Sequence, residues 1–358
     1  MTTATAMEPA PPAAADTGRR TEKELLLHSR EYTAESTSRS WASTFTTFLI
    51  LGGLVTAAAL LPEWWMRLPF SLLAGLTAVR AFCLFHDFQH GAILRQSKPA
   101  ELLFFVLGEF ILTPPSVWRE THNYHHQHTA KLIGSHIGSY PMLTPAMYAG
   151  LTPTQKFMYR LVRHPLNMVF AIFTVFGIGM CLKPFLRAPA KHWAGLLSLV
   201  LVTSLGVLAG MTGHFDAYVF GWFIPMAVAA SSGAYLFYAQ HNYPGMQVAD
   251  RSTWTFSGAA LDSSSYMKMG AFMNWMTANI GFHHVHHLNA TIPFYRLPEA
   301  MAGIPELQHP GVTSWGPSDI AKALLYGLWI TEYRNGQAWY SLPAPVEQLL
   351  QHMERIPR

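Results

Sequence analysis

The chain has 358 residues, half of them hydrophobic, and only 12% are Asp, Glu, Lys or Arg, whereas soluble domains carry about 25% charged residues. Its mean hydropathy is +0.17. So few charges cannot cover the surface of a soluble globule, and the apolar content excludes a disordered or collagen-like chain. The formal net charge of +4 is too small for a nucleic-acid surface, so we expect no nucleic-acid partner.

Apolar runs predict an all-α integral membrane protein. Residues 1–40 are expected to form a disordered or amphipathic N-terminal segment, since 1–22 are rich in Ala, Pro and Thr and lack an apolar core. A membrane domain is expected over 41–300 and a C-terminal segment over 301–358. Crossing a bilayer takes about 20 apolar residues. Two pairs of runs, each joined by a short loop, predict four transmembrane helices in two hairpins, over 43–61, 68–85, 193–211 and 218–238.

The distribution of positive charge predicts the orientation of these helices. Basic residues before the first run place the N-terminus in the cytoplasm by the positive-inside rule. The apolar run 166–182 is flanked by basic residues at both ends, and we expect it to lie at the membrane interface rather than to cross. With four crossings the C-terminus is also cytoplasmic, and the polar region after the fourth run forms a cytoplasmic cap.

Eighteen histidines are an unusually large number, and nine of them belong to three compact motifs. The motifs are HDFQH (86–90), HNYHH (122–126) and HHVHH (283–287), and His241 stands alone just after the fourth run. On a helix, residues at i, i+3 and i+4 share a face, so each H-x-x-H-H motif is expected to present its imidazoles to one centre. Under the four-span topology all these histidines lie at one membrane face.

Such a set of imidazoles predicts a metal site. Two metal ions with open positions need about eight or nine ligands, and imidazole suits iron, zinc or copper. The candidate ligands are His86, His90, His122, His125, His126, His241, His283, His286 and His287. Beside them, Asp87, Asn123 and His284 are candidates for orienting the ligand rings through hydrogen bonds.

Taken together, the three motifs resemble the signature of the membrane fatty acid desaturase superfamily. The stretches WRETHNYHHQHT (118–129), AQHN (239–242) and NIGFHHVHHLNATIPFYRL (279–297) are similar to those of bacterial and plastid acyl-lipid desaturases of the Δ12/ω6 kind. The resemblance covers about residues 40–300. The chain departs from the family pattern after the QH pair, where an acidic residue is expected early but Asp250 arrives late. This departure leaves the position of the double bond open.

The resemblance implies a di-iron centre held by the nine histidines, with His241 matching the additional histidine that the family places before its last motif. No catalytic side chain is implied beyond the metal centre. It also implies O2 as co-substrate and an external electron donor, which is ferredoxin, with cytochrome b5 as the alternative. The implied reaction introduces a cis double bond into a lipid-linked acyl chain, and the resemblance weakly favours the Δ12/ω6 position. The expected location is a bacterial inner membrane, with the active site facing the cytoplasm.

Two other functions remain open at this point. A hydroxylase or ketolase of acyl chains, carotenoids or alkanes would use the same scaffold and the same histidines. A metal-ion transporter is a more distant alternative, because it would place its ligands near the bilayer midplane, whereas these motifs are expected at helix ends.

Overall fold

The computed structural model describes residues 20–316 except 136 and 244, residue 320, and the two short segments 332–334 and 337–339. The first half of the predicted N-terminal segment and most of the predicted C-terminal segment therefore lie outside the described residues. The α-helices of the described part are α1 (Glu22–Ser29), α2 (Thr37–Leu60), α3 (Trp64–His90), α4 (Lys98–Phe110), α5 (Pro115–His128), α6 (Pro145–Ala149), α7 (Pro153–Arg163), α8 (Pro165–Val169), α9 (Lys183–Arg187), α10 (Trp193–Met211), α11 (Phe215–Tyr218), α12 (Ile224–Ala239), α13 (Phe256–Asp262), α14 (Ala271–Met276), α15 (His283–Leu288) and α16 (Leu297–Gly303).

Other regular elements are few. Two segments are π-helical, Ile172–Leu182 and Val219–Phe223, and single turns of 3-10 helix occur at Arg30–Tyr32, Phe294–Arg296 and Pro305–Leu307. Strands β1 (Tyr266–Lys268) and β2 (Val312–Ser314) pair in parallel, and β3 (Glu332–Arg334) pairs antiparallel with β4 (Gln337–Trp339). The protein is thus built from helices, as the sequence predicts.

In the part of the chain that the structure describes, four helices are long and apolar enough to cross a membrane, and they coincide with the four predicted runs. They are Thr37–Leu60, Trp64–His90, Trp193–Met211 and Phe215–Ala239. The last of them joins α11, the second π-helical segment and α12 without a break. Helices α4 and α5 together meet the same criteria but are bent by 89°, so a fifth, broken crossing is the alternative to four. The all-α membrane fold class is confirmed; the hairpin arrangement and the cytoplasmic cap stay predictions.

Helix α3 is the centre of the membrane bundle. It packs against α2 on one side and against α12 on the other. In the apolar 18-residue stretch of α3, 61% is buried inside the protein, whereas in the corresponding stretch of α2 only 17% is buried. Helix α2 exposes Phe45 and Leu49. The helix that carries the HDFQH motif is therefore enclosed by protein, while α2 presents its apolar side chains outward.

Close approach of α3 and α12 depends on Gly75. A Cβ atom at this position would lie 2.6 Å from Cβ of Val228 and 2.9 Å from the carbonyl oxygen of Pro225. Small residues allow membrane helices to approach each other in this way. We predict that Gly75→Ala lowers the free energy of unfolding by about 1–3 kcal/mol, the usual cost of overpacking. Thermal unfolding in detergent, followed by tryptophan fluorescence, measures the effect.

The matched control is Gly52→Ala in α2, where an added Cβ would meet no atom within 4 Å. This control should unfold at the temperature of the unaltered protein or slightly above it, because alanine has the higher helix propensity. Equal unfolding temperatures for the two variants would contradict the close contact of α3 and α12.

The N-terminal segment is more ordered than its composition predicts. A capping box between Thr21 and Glu24 begins α1, and Leu25 is buried against α13 and its neighbours. The guanidinium of Arg20 donates to Glu306 at 2.6 Å, and this hydrogen bond lowers the pKa of Glu306 to about 2. The expectation of disorder over residues 1–22 is therefore wrong from residue 20 onward, because capping and these long-range contacts fix the chain.

The segment 166–182 consists of α8 and the first π-helical segment. Ile172 and Cys181 are buried, whereas Phe173 and Ile178 are half exposed. The segment packs against α10 and α12. One apolar face therefore contacts the bundle and the other is free to contact lipid. This two-faced character is compatible with an interfacial position, which stays a prediction.

Tight turns set the directions of the helices that carry the histidine motifs. Gly91 ends α3 with a φ of 69°, Leu112 turns the chain between α4 and α5 with a φ of 55°, and Asn279 precedes α15 with a φ of 57°. For residues other than glycine this left-handed conformation costs about 1–3 kcal/mol and persists only where the surrounding structure determines it. The directions of α5 and α15 are thus set by packing.

Candidate metal centre

All nine histidines predicted as ligands meet at one buried site, where they form two groups. The first histidine group is His86, His90, His122, His126 and His286, and the second histidine group is His125, His241, His283 and His287. Within each group, one nitrogen of every ring lies within 4.8 Å of the corresponding atoms of the others. Eight of the nine residues are at most 8% exposed, and His90 is partly buried.

The Nε2 atoms of the second group form a closed ring. The separations are 3.2 Å from His125 to His241, 2.8 Å from His241 to His283, 3.1 Å from His283 to His287 and 3.3 Å from His287 back to His125. Nitrogens that bind one metal ion at about 2.0–2.1 Å lie at similar distances from each other. Four imidazoles are therefore already arranged as the donors of one ion.

Convergence in the first group is similar. Nε2 of His122 lies 2.9 Å from Nε2 of His86 and 3.1 Å from that of His126, which in turn lies 3.1 Å from Nε2 of His286. The ring centre of His90 is 4.6 to 5.0 Å from the ring centres of the other four, and its buried Nε2 has no hydrogen-bond partner among the described residues. This group offers five donors.

Each H-x-x-H-H motif divides between the two groups, which differs from the expectation that a motif serves one centre. His122 and His126 belong to the first group and His125 to the second, while His286 belongs to the first and His283 and His287 to the second. The reason is the helical repeat of 3.6 residues, by which neighbouring residues point about 100° apart. The i, i+4 pair stays together, and the third histidine faces the other centre.

The hydrogen bonds of the ring Nδ1 atoms favour a metal between the Nε2 atoms. Nδ1 of His241 donates to the carbonyl oxygen of Ser263 at 3.1 Å. Burial lowers the pKa of His241 to about 4, so the ring is neutral and its Nε2 carries a lone pair directed at the group. Burial also holds the pKa of His283, His286 and His287 well below the ordinary value. Neutral imidazoles with inward lone pairs are the ligand form, and these residues fit a metal centre.

Of the three residues predicted to orient ligands, Asp87 is the one in contact with a member of a group. Its Oδ1 lies 3.3 Å from Nδ1 of His86, and its Oδ2 accepts a hydrogen bond of 2.7 Å from the backbone N–H of Phe294. Asn123 is exposed on α5 and has no hydrogen bond to the cluster among the described residues. His284 is fully buried but faces away, with Nε2 at 3.2 Å from the carbonyl oxygen of Leu307.

We predict that Asp87→Asn weakens metal binding by about 10- to 100-fold, the usual loss when a partner of a ligating histidine is changed. The amide keeps the size of the carboxyl group but has only one acceptor oxygen, so it cannot accept from both Nδ1 of His86 and the backbone N–H of Phe294. Competition against a chelator, followed by metal analysis of the protein, measures the affinity. The matched control is Asn123→Ala, which should bind metal as tightly as the unaltered chain; a loss of the same size there would contradict this role for Asp87.

Other residues that shape the site were not singled out from the sequence. The indole of Trp118 stacks on the ring of His122, with ring centres 4.5 Å apart, and Phe237 lies 4.7 Å from the ring of His125. The hydroxyl of Ser139 is 2.6 Å from Nδ1 of His125. Trp118 precedes His122 by one helical turn, a spacing that could have identified it. Ser139 lies in a loop, and no sequence signal points to it.

A cavity of about 1000 Å³ adjoins the first histidine group. We call it the apolar cavity, because its buried wall consists mainly of aliphatic and aromatic side chains from α3, α5, the first π-helical segment and α12. Trp118 and His122 form part of its wall. An elongated apolar molecule in this space would lie directly beside the imidazole of His122.

Fold and site together define a helical integral membrane protein with a histidine-rich centre suited to metal ions and a neighbouring apolar cavity. The family described as Fatty acid desaturase matches residues 62–317, and the chain belongs to this family. It is therefore an oxidoreductase of the desaturase type. The family and the enzyme class predicted from the three motifs are confirmed.

Known relatives are similar over most of their length. A fatty acid desaturase of Bacillus subtilis (strain 168) is 27% identical over 288 residues, which cover 78% of this chain and 80% of the relative. An sn-1 oleoyl-lipid 12-desaturase of Picosynechococcus is 22% identical, with 74% and 76% covered. An sn-1 acyl-lipid omega-3 desaturase (ferredoxin) of Nostoc is 26% identical, with 73% of each chain covered. These similarities support a lipid substrate and an electron donor in general.

Proposed function

We propose that this protein is a di-iron desaturase that introduces a cis double bond into the acyl chain of a membrane lipid. The observation that carries the proposal is the division of nine buried imidazoles into groups of five and four beside an apolar cavity. Removal of two hydrogens with O2, two electrons and two protons gives the double bond and two molecules of water, which balances atoms and charge.

In this proposal each histidine group holds one iron ion. When bound, the iron centre supplies the oxidising power, drawn from O2, that removes hydrogens from unactivated methylene groups, a task beyond acid–base side chains. The protein positions the ligand rings and the substrate, and it excludes water from the site. Ser139, Asp87 and the carbonyl of Ser263 hold three of the rings, so the ligands need little rearrangement to bind an ion.

Substrate positioning falls to the walls of the apolar cavity. Trp118 and Phe237 flank the rings of His122 and His125, and both line the cavity. An acyl chain between them is held beside the first histidine group and is shielded from water. Exclusion of water protects the oxidising equivalents from side reactions, so these aromatic residues serve selectivity as well as binding.

The names of the relatives guide the finer part of the proposal. Relatives named as sn-1 oleoyl-lipid 12-desaturases favour the Δ12/ω6 position for this chain, and the relative named as a ferredoxin-dependent omega-3 enzyme favours ferredoxin over cytochrome b5 as the donor. Basic residues before the first run favour a site on the cytoplasmic side of a bacterial inner membrane.

Lipid fatty-acid profiling by mass spectrometry tests the proposal, with the chain expressed in a host that lacks polyunsaturated lipids and co-expressed with a ferredoxin. We expect a new di-unsaturated acyl chain whose second double bond lies at Δ12, and its absence with His125→Ala. Hydroxylated or keto products would overturn desaturation in favour of the related oxygenation. A double bond elsewhere would overturn the Δ12 assignment alone.

A further inference from the structure

The apolar cavity has a chemically distinct open end. Its buried wall includes Ala78, Val79 and Ala230, whereas α9 and the turn after it contribute three exposed basic residues. We call Lys183, Arg187 and Lys191 the basic mouth; all line the same cavity and all are exposed. A ligand that fills this space therefore meets hydrocarbon at one end and positive charge at the other.

Positive charge at the basic mouth is only partly compensated. Lys191 forms an ion pair with Glu120 at 2.5 Å, and Glu120 also lines the cavity. Lys183 and Arg187 have no acidic partner within 4.0 Å among the described residues. Two cations thus remain free to bind an anion at the entrance of an otherwise apolar space.

A buried ring nitrogen lies beside this entrance. His192 lines the cavity and is only 7% exposed, and its Nδ1 has no hydrogen-bond partner in the described part of the chain. Burying a polar atom without a partner costs free energy. An oxygen atom of a ligand at the mouth would satisfy it. This observation is independent of the charges and also points to a polar group at this end of the cavity.

The surroundings of the basic mouth are typical of the level of lipid headgroups. Leu186 is 67% exposed and Trp193 is 54% exposed, and both alternate with the cations along the chain. Exposed tryptophan beside lysine and arginine is typical of the membrane–water interface. A molecule that enters here comes from the lipid layer more directly than from the aqueous phase.

We propose that the basic mouth binds the phosphate of an anionic glycerophospholipid whose acyl chain occupies the apolar cavity. The inference rests on the proposed function and specifies its substrate, because it makes the charge of the headgroup a criterion of selection. Lys183 and Arg187 neutralise the phosphate, and Nδ1 of His192 forms a hydrogen bond to a polar group near the glycerol. Two cations near the surface correspond to a preference of about 30-fold for an anionic lipid.

Binding is tested with the purified full-length protein by native mass spectrometry. The probes are dioleoyl phosphatidylglycerol, dioleoylglycerol, which lacks the phosphate, and oleoyl-CoA, which carries phosphate but enters from water. The unaltered chain should bind phosphatidylglycerol about 10- to 30-fold more tightly than dioleoylglycerol. The double variant Lys183→Gln, Arg187→Gln should lose this preference. The matched control Arg95→Gln, Lys98→Gln removes two exposed cations outside the cavity and should keep it.

A cavity variant shows where the lipid binds. Gly233→Phe projects a ring into the cavity and should reduce binding of phosphatidylglycerol, whereas lipid held only at the outer surface would be unaffected. Three results would each overturn the proposal. They are equal affinities for the two dioleoyl probes, loss of the preference for phosphatidylglycerol in the control pair, and binding of oleoyl-CoA at the same cations that is tighter than binding of phosphatidylglycerol.

Turnover distinguishes this inference from the proposed function. A chain that binds phosphatidylglycerol through the basic mouth but forms no double bond would overturn the desaturase proposal and leave the binding site. A chain that desaturates neutral and anionic lipids with equal efficiency would overturn headgroup selection and leave the desaturase proposal.

Discussion

Removing one imidazole from either histidine group is expected to reduce the bound iron from two ions per chain to about one and to abolish desaturation. His86→Ala and His241→Ala are the sharpest pair. Among the described residues, the histidine rings that contact His86 all belong to the first group, and those that contact His241 all belong to the second. Both iron ions are needed for the proposed chemistry. The loss of activity should therefore exceed the roughly 100-fold that is typical of changing a partner of a ligand.

Metal analysis of the purified variants, together with product analysis, measures both effects. The matched control is His128→Ala, on the same helix as three of the ligands. The ring of His128 stacks on Tyr124 at 3.8 Å between centres and belongs to neither group, so its removal should leave iron content and activity nearly unchanged. Two ions per chain in either test variant would contradict the five-and-four division. Loss of both ions in one variant would show that the groups bind only together.

Much of this site could be predicted because the patterns that indicate it are formed by residues close together in the sequence. The four membrane helices follow from long apolar runs, and the three motifs follow from histidines spaced by three and four residues. His241 has no such partner nearby in sequence, and the family resemblance supports it better than its spacing does. The division of each motif between two groups could have been predicted from the 100° rotation per residue, which separates His125 from His126.

Other features depend on contacts between distant parts of the chain. Asp87 reaches the backbone of Phe294 across 207 positions, and Ser139 reaches His125 from a loop. No periodicity encodes these pairings. The apolar cavity is likewise a space between α3, α12 and a π-helical segment, and its volume depends on how these elements pack. For the same reason the composition of the N-terminal segment did not predict the contact of Arg20 with Glu306.

Closing the apolar cavity is expected to stop desaturation while the metal centre stays intact. Gly233 lines the cavity, and the nearest atom to a Cβ added there is Cζ of Phe176 at 4.0 Å. A larger side chain at this position therefore has only the cavity to occupy. On α12 the lining extends from Met226 to Phe237, about 16 Å along the helix axis, and Gly233 lies between these ends.

We predict that Gly233→Phe lowers product formation on the order of 10²-fold or more, since displacement of a substrate by about 1 Å has an effect of that size. Iron content should be unchanged, because Gly233 is one turn away from the residues that contact the rings. Gly53→Phe in α2 is the matched control: an added Cβ there meets no atom within 4 Å, so the same ring should not affect activity. Gly233→Ala should retain activity, since one methyl group only narrows the space.

These outcomes separate the role of the cavity from the role of the metal. Full activity of Gly233→Phe with an unchanged product would mean that the acyl chain reaches the histidines by another route. Lost activity together with lost iron would mean that the phenyl ring disturbs the centre itself. Lost activity with both ions retained is the result that the geometry predicts, because the imidazoles are held by hydrogen bonds from α3 and the loops, whereas the acyl chain is held by the walls of the cavity.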